Sequence, residues 1–242
     1  MSTSSITDSL VCTKVLHFET FYYLCTMAKK SILVIAPHAD DEVLGCGAYL
    51  YDEAKSGSDI HVVIGTVGGV DKKQVYETRR KELENVCLYL GAFVEVLFKG
   101  EDAMMDMLPD REVISAIDGI VDRIRPDVIL INCWSHHQDH KKVYECAMAS
   151  MRQREGYRPD MVMLYEYPCL EPGVVIEGGR CYHPFDSITL KAKQEMLNLY
   201  PSQIRKEPSP INNKGVESLA MLRGRECGSE YAELFYVQRM VL

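Results

Sequence analysis

The sequence has no apolar run long enough to span a lipid bilayer, so it predicts no integral membrane segment. Basic residues are also few: 27 Lys and Arg are outnumbered by 35 Asp and Glu, and the net charge of the 242 residues is −8. General nucleic-acid binders need clustered cations to displace counterions from phosphates, so this class is excluded. No internal repeat, low-complexity tract or clear linker divides the chain, which favours one large domain.

Disulfide and cysteine-zinc patterns are absent as well. The chain has nine cysteines, an odd number, and no two of them form a Cys-x-x-Cys pair. Scattered cysteines of this kind are typical of reduced, mostly buried thiols in a cytoplasmic protein. We therefore expect a cytoplasmic location.

The first 26 residues differ from the rest of the chain. They lack the basic leader of a signal peptide, and four polar residues interrupt their apolar positions: Asp8, Lys14, His17 and Glu19. Met27 begins "MAKKSILVIAP", a natural start for a folded domain. We interpret residues 1–26 as an N-terminal appendage of unknown role and residues 27–242 as a single domain.

Short apolar runs alternate with amphipathic segments from Ser31 to Tyr167. Runs such as "SILVIA", "IHVVIGTV", "FVEVLF", "DVILIN" and "MVMLYEY" predict strands, and segments such as "QVYETRRKELENVCLYLG", ended by Gly91, predict helices. This alternation favours an α/β fold, with a Rossmann-like, mostly parallel sheet covered by helices on both faces. After Tyr167 the pattern predicts loops, two further helices and a last strand, "ELFYV".

Two motifs combine histidine with carboxylate, and each follows a predicted strand. "PHADDE" begins at Pro37, and "WSHHQDH" begins at Trp134 after "DVILIN". Because ligands bind at the carboxyl ends of parallel strands, the sheet would bring the motifs together. A catalytic zinc commonly takes three such ligands and keeps a position for water. One carboxylate of "HADD" can bind the metal while its neighbour takes a proton from water, but residue types alone do not choose between Asp40 and Asp41.

The motifs also resemble those of a known family. "APHADDEVLGCG" is similar to the signature of the LmbE-like or PIG-L zinc-dependent N-deacetylases, usually PHPDDE, and "HQDH" to their second motif, H-x-D-H. The likeness covers almost all of residues 31–240. Further matches, in chain order around the second motif, are "TVGGV", "RRKELENVCLYLG", "RPDVILIN", "YPSQI" and "GSEYAELF". The resemblance implies the family's three-layer α/β fold.

The resemblance also implies a metal site with a base beside it. His38, Asp41 and His140 would bind one zinc ion per chain, and Asp40 would be the general base that deprotonates the attacking water. His137 would stabilise the oxyanion or protonate the leaving amine.

Two further roles follow from the resemblance. Asp139 would orient a histidine, the usual way in which a tautomer is set at a metal site. Arg79 is favoured over Arg80 as a substrate-binding residue, although both could be solvated helix charges paired with Glu77 or Glu84.

The chain departs from the family pattern at three places. Ala39 replaces the usual proline, Ser135 stands where many relatives have an aspartate, and Tyr200-Pro201 precedes "SQ" in place of a histidine. Ser135 could alter hydrogen bonding to the substrate or to His137.

Structural interpretations compete with the metal site. Acids at the end of a strand could simply stabilise the positive end of a helix dipole, and we expect Glu42 to have only this role. We expect His136 to be a neighbour of the ligands, and His61 and the loop residue His183 to have no role in the site.

The function expected from these features is that of a zinc-dependent hydrolase. It would remove acetyl from an N-acetylated amino sugar of the N-acetylglucosamine type, giving free amine and acetate. The alternatives are a Mg-dependent nucleotide-sugar-binding transferase, which two histidine ligands disfavour, and a non-catalytic metal-binding scaffold. The particular sugar conjugate stays open, and the resemblance permits a trimer or hexamer.

Overall fold

The computed structural model describes residues 29–69, 72–100, 103–169, 171 and 173–241, so the expected appendage lies outside the described residues. Within these residues there are seven strands and six α-helices. The strands are β1 (Ser31–His38), β2 (Asp59–Thr66), β3 (Phe93–Val96), β4 (Val128–Asn132), β5 (Met161–Tyr165), β6 (Gly179–Phe185) and β7 (Tyr231–Met240). The helices are α1 (Asp41–Lys55), α2 (Lys73–Leu90), α3 (Asp110–Ile124), α4 (Gln138–Ser150), α5 (Ser187–Asn198) and α6 (Asn213–Cys227).

All seven strands belong to one sheet, in the order β3-β2-β1-β4-β5-β7-β6. The first five are parallel, and β7 runs antiparallel to both β5 and β6. The predicted α/β fold with a mostly parallel sheet is therefore confirmed. The strand order reverses at β1, which lies between β2 and β4, and such a switch point is where open α/β sheets bind ligands.

The core alternates across the sheet with the period of two that strands require. Ile32 and Val34 of β1 pack on one face with residues of α1, α2 and α5, and Leu33 and Ile35 pack on the other with residues of α3 and α4. Because both faces are covered, the central strands are continuously apolar, as the sequence indicated. Among the described helices, none combines the length and apolar character needed to cross a membrane.

Strand β6 was not predicted, since its stretch was interpreted as a loop. It lies at the edge of the sheet and pairs only with β7. It is mostly half-buried or exposed and contains Pro184, which is tolerated on an edge strand and hides the usual alternation. The placement of His183 in a loop was therefore wrong: it lies in β6, with Nε2 2.9 Å from Oδ2 of Asp52.

The described cysteines fit the expectation of mostly buried thiols only in part. All of them are free: Cys46, Cys87, Cys133 and Cys146 are buried, Cys169 and Cys181 are half-buried, and Cys227 is exposed.

Candidate metal centre and its cavity

The two motifs meet at the carboxyl edge of the sheet because β1 and β4 are neighbours. Strand β1 ends at His38, and β4 ends at Asn132 just before the loop that leads into α4. The Asn132 side chain donates hydrogen bonds to the carbonyls of Cys133 (3.0 Å) and His140 (2.9 Å), so it ties the start of this loop to the first turn of α4. The ring centroids of His38 and His140 lie 5.3 Å apart.

Three ligand atoms converge at this point. Oδ2 of Asp41 lies 3.5 Å from Nδ1 of His38 and 3.4 Å from Nε2 of His140. Two ligands at tetrahedral angles on a zinc ion, with bonds of about 2.0–2.2 Å, are separated by about 3.4 Å. The residues present therefore fit a small divalent cation, and their two nitrogens and one oxygen suit zinc better than magnesium.

Asp139 supports one of the two histidines. Its Oδ2 lies 2.8 Å from Nε2 of His38, so Nδ1 of that ring is directed to Asp41. Backbone N–H groups of Ala103 (2.7 Å) and Met105 (2.8 Å) hold the Asp139 carboxylate in place. The other histidine lacks this support: Nδ1 of His140 is buried and has no hydrogen-bond partner in the described part of the chain.

Burial and neighbouring charges shift the pKa values of all three residues of the cluster. Burial alone would lower the pKa of His38, but hydrogen bonds and charges from Asp139 and Asp41 outweigh it and raise the pKa to about 10. Burial would raise the pKa of Asp41, yet His140 and His38 lower it overall. Burial holds the pKa of His140 below its usual value, so its ring is neutral. Asp41 and His140 thus have the ionised and neutral forms that bind a metal, whereas the His38 ring must give up a proton to do so.

Asp40 has a strained backbone at the wall of the cavity. Its φ of 133° and ψ of −26° lie in a region that non-glycine residues rarely occupy, a conformation that costs about 1–3 kcal/mol and persists only when its surroundings impose it. The Asp40 N–H donates to Oε2 of Glu42 (3.1 Å), and its carbonyl accepts from the Leu44 N–H (2.9 Å). These two hydrogen bonds hold the strained backbone of Asp40 in place.

Glu42 does more than stabilise the start of a helix, and that expectation is corrected. It is fully buried, and its carboxylate accepts from the Asp40 N–H and from the Tyr200 hydroxyl, 2.6 Å away. Burial raises the pKa of Glu42 to about 7 although these donors favour the ionised form. Tyr200, noted in the sequence only as a departure from the family pattern, thus supports the backbone at Asp40 through Glu42.

The two adjacent aspartates have different environments. Both line the cavity, but the contacts to His38 and His140 are made by the Asp41 carboxylate. Burial, together with the charges of Asp41 and Glu42, raises the pKa of Asp40 well above its usual range, and His38 and Arg79 only partly oppose this rise. Asp40 is therefore the carboxyl group of the cavity whose pKa is raised, whereas that of Asp41 is lowered.

The cavity beside the cluster has a volume of about 170 Å³. Arg79 lies on its wall and donates from Nη1 to the Val67 carbonyl (3.2 Å), whereas Arg80 pairs with Glu84 (3.1 Å) on the helix surface. Arg79 thus lines the cavity and Arg80 does not, and the role of Arg79 in substrate binding stays a prediction. The wall also includes three residues that the sequence analysis did not single out as site residues: Tyr167, Gln203 and Arg205. The "YPSQI" match at residues 200–204 was the one sequence signal near Gln203 and Arg205.

His137 lies beside the cluster at the start of α4. Its ring centroid is 5.3 Å from that of His38 and 5.0 Å from that of His140, and its Nδ1 accepts the Asp139 N–H at 3.3 Å. Ser135 accepts the His137 N–H (3.0 Å) and donates to Glu171 (2.9 Å). The Ser135 hydroxyl, at a position where many relatives have an aspartate, therefore helps to hold the loop before His137 in place.

The remaining histidines lie apart from this arrangement. The ring of His136 packs edge-on against Trp134 and is exposed. His61 stacks on Phe93 at the opposite, amino edge of the sheet, in the wall of a larger cavity of about 630 Å³ that includes no residue of the two motifs.

Comparison with known proteins matches the part of the chain that contains both motifs. The family model PIG-L, described as GlcNAc-PI de-N-acetylase, matches residues 33–151, a span that includes both motifs. A protein of Escherichia coli K12 named "Uncharacterized deacetylase YaiS" is 32% identical over 130 residues, which cover 51% of this chain and 69% of that protein.

Solved structures share the fold at low sequence identity. N,N'-diacetylchitobiose deacetylase from Pyrococcus horikoshii has a TM-score of 0.71 and 21% identity, covering 87% of this chain and 84% of its own. GalB, the 4-carboxy-2-hydroxymuconate hydratase of Pseudomonas putida KT2440, has a TM-score of 0.66 and 19% identity, covering 88% and 98%. The fold alone therefore supports more than one reaction, and the chemistry of the site must decide between them.

Proposed function

The chain belongs to the PIG-L family of de-N-acetylases, and from this premise we propose that it is a zinc-dependent hydrolase. It removes the acetyl group from an N-acetylated amino-sugar conjugate of the N-acetylglucosamine type and releases a free amine and acetate. The observation that carries the proposal is the His38, Asp41 and His140 cluster with Asp40 beside it at the cavity wall.

Zinc is the cation that we assign to the cluster. Its donors are two imidazole nitrogens and one carboxylate oxygen, a set common in catalytic zinc sites and unusual for magnesium, which prefers oxygen. When bound, zinc supplies Lewis acidity, which lowers the pKa of a water and polarises an acyl carbonyl. This donor set is the argument against a Mg-dependent transferase.

Asp40 is the general base in this proposal. Its carboxylate faces the cavity, and burial with two neighbouring acids raises its pKa, which brings it closer to a value useful for proton transfer at neutral pH. It accepts the proton of the attacking water and returns it to the nitrogen that leaves the acetyl carbon. Its backbone is held by two hydrogen bonds: its N–H donates to the Glu42 carboxylate, and its carbonyl accepts the Leu44 N–H.

The other three residues assist at different points. His137, on the cavity wall, donates a hydrogen bond to the oxygen of the tetrahedral intermediate or a proton to the leaving amine. Asp139 is a positioning residue, since it sets the orientation of the His38 ring. Arg79, which also lines the cavity, contacts the sugar.

The substrate class rests on the family and its relatives. The family model is named for a de-N-acetylase of N-acetylglucosamine linked to phosphatidylinositol, and the Pyrococcus horikoshii relative for a deacetylase of diacetylchitobiose. Both names describe N-acetylated glucosamine conjugates. We assign the same class to this chain, and its free cysteines support a cytoplasmic location. Assembly as a trimer or hexamer stays a prediction.

The test is a deacetylation assay on the purified protein. A panel of N-acetylglucosamine conjugates is incubated with protein, and free amine and acetate are quantified with and without a chelator. We expect equal amounts of amine and acetate, loss of both on chelation and recovery with one equivalent of zinc. Release of neither product from the whole panel by zinc-loaded protein would support the non-catalytic scaffold, and activation by magnesium alone would overturn the zinc assignment.

A further inference from the structure

We propose that the substrate carries an anionic group, a phosphate or a carboxylate, next to the N-acetylated sugar, and that Arg205 binds this group. The inference rests on the proposed deacetylase function and names the part of the substrate that the chain selects. It follows from the size of the cavity, the charges on its wall and the way in which the loop bearing Arg205 is held.

The size of the cavity places part of the substrate at its mouth. At about 170 Å³ it is smaller than the roughly 300–1,000 Å³ of pockets that enclose a whole ligand of drug size. The acetamido group and part of the sugar ring therefore occupy it, while the group attached to the sugar lies outside. Arg205 belongs to the cavity wall yet is exposed to solvent, so it stands where this attached group must lie.

The charge at Arg205 has no counterpart in the described part of the chain. Its guanidinium makes one hydrogen bond, a long one of 3.4 Å to the Ser202 carbonyl, and no ion pair. The carboxylates that line the cavity are those of Asp40 and Asp41, and a divalent cation would balance their two charges. With the metal bound, the mouth of the cavity is therefore positive, and the rigid fork of Arg205 is suited to phosphate or carboxylate oxygens.

The loop that carries Arg205 is held in a defined shape. The Arg205 N–H donates to the Ile211 carbonyl (2.8 Å), and the Asn212 side chain donates to the Arg205 carbonyl (3.3 Å). At the start of the loop, Ser202 donates its N–H (3.0 Å) and its hydroxyl to the buried carboxylate of Glu82.

Glu82 links the positions of the two cavity arginines, Arg79 and Arg205. It lies three residues after Arg79 on α2, so one helix presents one guanidinium directly and anchors the loop that presents the other. Such anchoring reduces the entropy lost when a ligand binds at Arg205.

The experiment compares three substrates that differ only in the attached group. N-acetylglucosamine 1-phosphate provides a phosphate, the carboxymethyl glycoside of N-acetylglucosamine a carboxylate, and its methyl glycoside no charge. We expect the wild-type kcat/KM for at least one anionic substrate to be on the order of tenfold higher than for the methyl glycoside. A difference of about tenfold corresponds to the contribution of one charge-assisted hydrogen bond. The preference for the anionic substrate should weaken with added salt. Comparison of the phosphate and carboxylate substrates shows which of the two groups Arg205 binds.

Arg205→Gln tests the assignment, and Lys206→Gln is its matched control. Lys206 is the adjacent exposed cation, and it does not line the cavity. Arg205→Gln should abolish the preference for the anionic substrate by raising its KM, whereas Lys206→Gln should keep this preference. Calorimetric titration of zinc-loaded Asp40→Asn, alone and combined with Arg205→Gln, gives the same comparison as affinities without turnover.

Each outcome has one meaning. Amine release from all three substrates with equal kcat/KM would overturn the role of Arg205 and leave the deacetylase proposal standing. An equal loss on neutral and anionic substrates in Arg205→Gln would assign it a structural role and also overturn the inference. Release from none of them, with no anion-dependent difference in affinity, would remove both proposals.

Discussion

Two sets of buried carboxylates in this protein differ in what balances their charge. In the first set, each acid has a cation from the chain itself: Glu233 pairs with Lys193 (2.6 Å), and Glu166 pairs with Arg223 through both carboxylate oxygens. Glu233 also accepts the N–H groups of Ala48 and Tyr49, both at 2.8 Å.

The contacts of Glu233 have a structural purpose. Helix α1 is interrupted at Cys46, whose φ of −138° and ψ of 20° are not helical. The interruption takes backbone N–H groups out of the helical pattern, and a buried N–H without an acceptor is costly. Glu233 satisfies them from β7 and thereby orients the first turn of α1, which contains Asp41 and Glu42.

The second set is the motif at the edge of the sheet, where no lysine forms an ion pair with any of the acids in the described residues. Asp41 and Asp139 share the histidine His38, and Asp40 and Glu42 rely on burial, backbone N–H groups and a hydroxyl. The comparison teaches that acids paired with lysine or arginine in the core form structural contacts, whereas the acids of the motif, grouped around histidines, have the arrangement that we propose binds a metal ion and moves a proton.

The largest effect on activity should come from removing a proposed metal ligand that lies beside the second set of carboxylates. His140→Ala should lose the metal and all activity, because an aspartate and one histidine cannot complete a three-ligand site. The measurement is metal content per chain after dialysis, with activity. His136→Ala, which changes an exposed side chain in the loop four residues earlier, is the control and should keep one zinc per chain. Full zinc content in His140→Ala would exclude His140 from the ligand set.

Asp40→Asn should separate proton transfer from metal binding. The amide cannot accept the water's proton, so kcat should fall by roughly 10²–10⁴-fold, the usual contribution of a general base. Zinc content and thermal stability should stay close to wild type, because Asp41 lies against both ligand histidines. Normal turnover by this variant would show that another group is the base.

Glu233→Gln should lower the free energy of unfolding, because it removes the negative charge of a buried ion pair. It leaves the Lys193 ammonium, which is 3% exposed, without a counter-charge, and breaking a buried pair in this way costs about 3–5 kcal/mol. Urea unfolding measures the loss. Combining it with Lys193→Met should recover much of the stability, and Glu84→Gln, which breaks the exposed pair with Arg80, should cost less than about 1 kcal/mol. Equal losses at the buried and exposed pairs would contradict the comparison.

Tyr200→Phe should have the smallest effect of the four. It deletes the hydroxyl that donates to the buried Glu42 carboxylate, at a cost of about 1–3 kcal/mol in unfolding free energy. A smaller kcat with unchanged zinc content should accompany it, since Glu42 holds the Asp40 N–H. Tyr89→Phe removes a similar bond to Glu195 on the surface and is the control. A larger loss in Tyr89→Phe would show that burial at Glu42 is not what matters.

The sequence by itself determined most of the elements and which two motifs meet at the edge of the sheet. Apolar runs such as "DVILIN" are local signals, and they identified every strand except β6, whose exposed edge position and Pro184 remove the usual pattern. The two histidine–carboxylate motifs were placed correctly at one edge because parallel strands align their carboxyl ends.

Only the tertiary structure decided which atoms meet. Whether Nδ1 or Nε2 of His38 faces Asp41 depends on Asp139, 101 residues away, and the support of Asp40 by Glu42 depends on Tyr200, 158 residues from that glutamate. Arg205 reaches the cavity because Glu82 of α2 anchors its loop at Ser202. The physical reason is that periodicity and capping act over a few residues, whereas these contacts join residues from distant parts of the chain and exist only once the sheet has set the strands side by side.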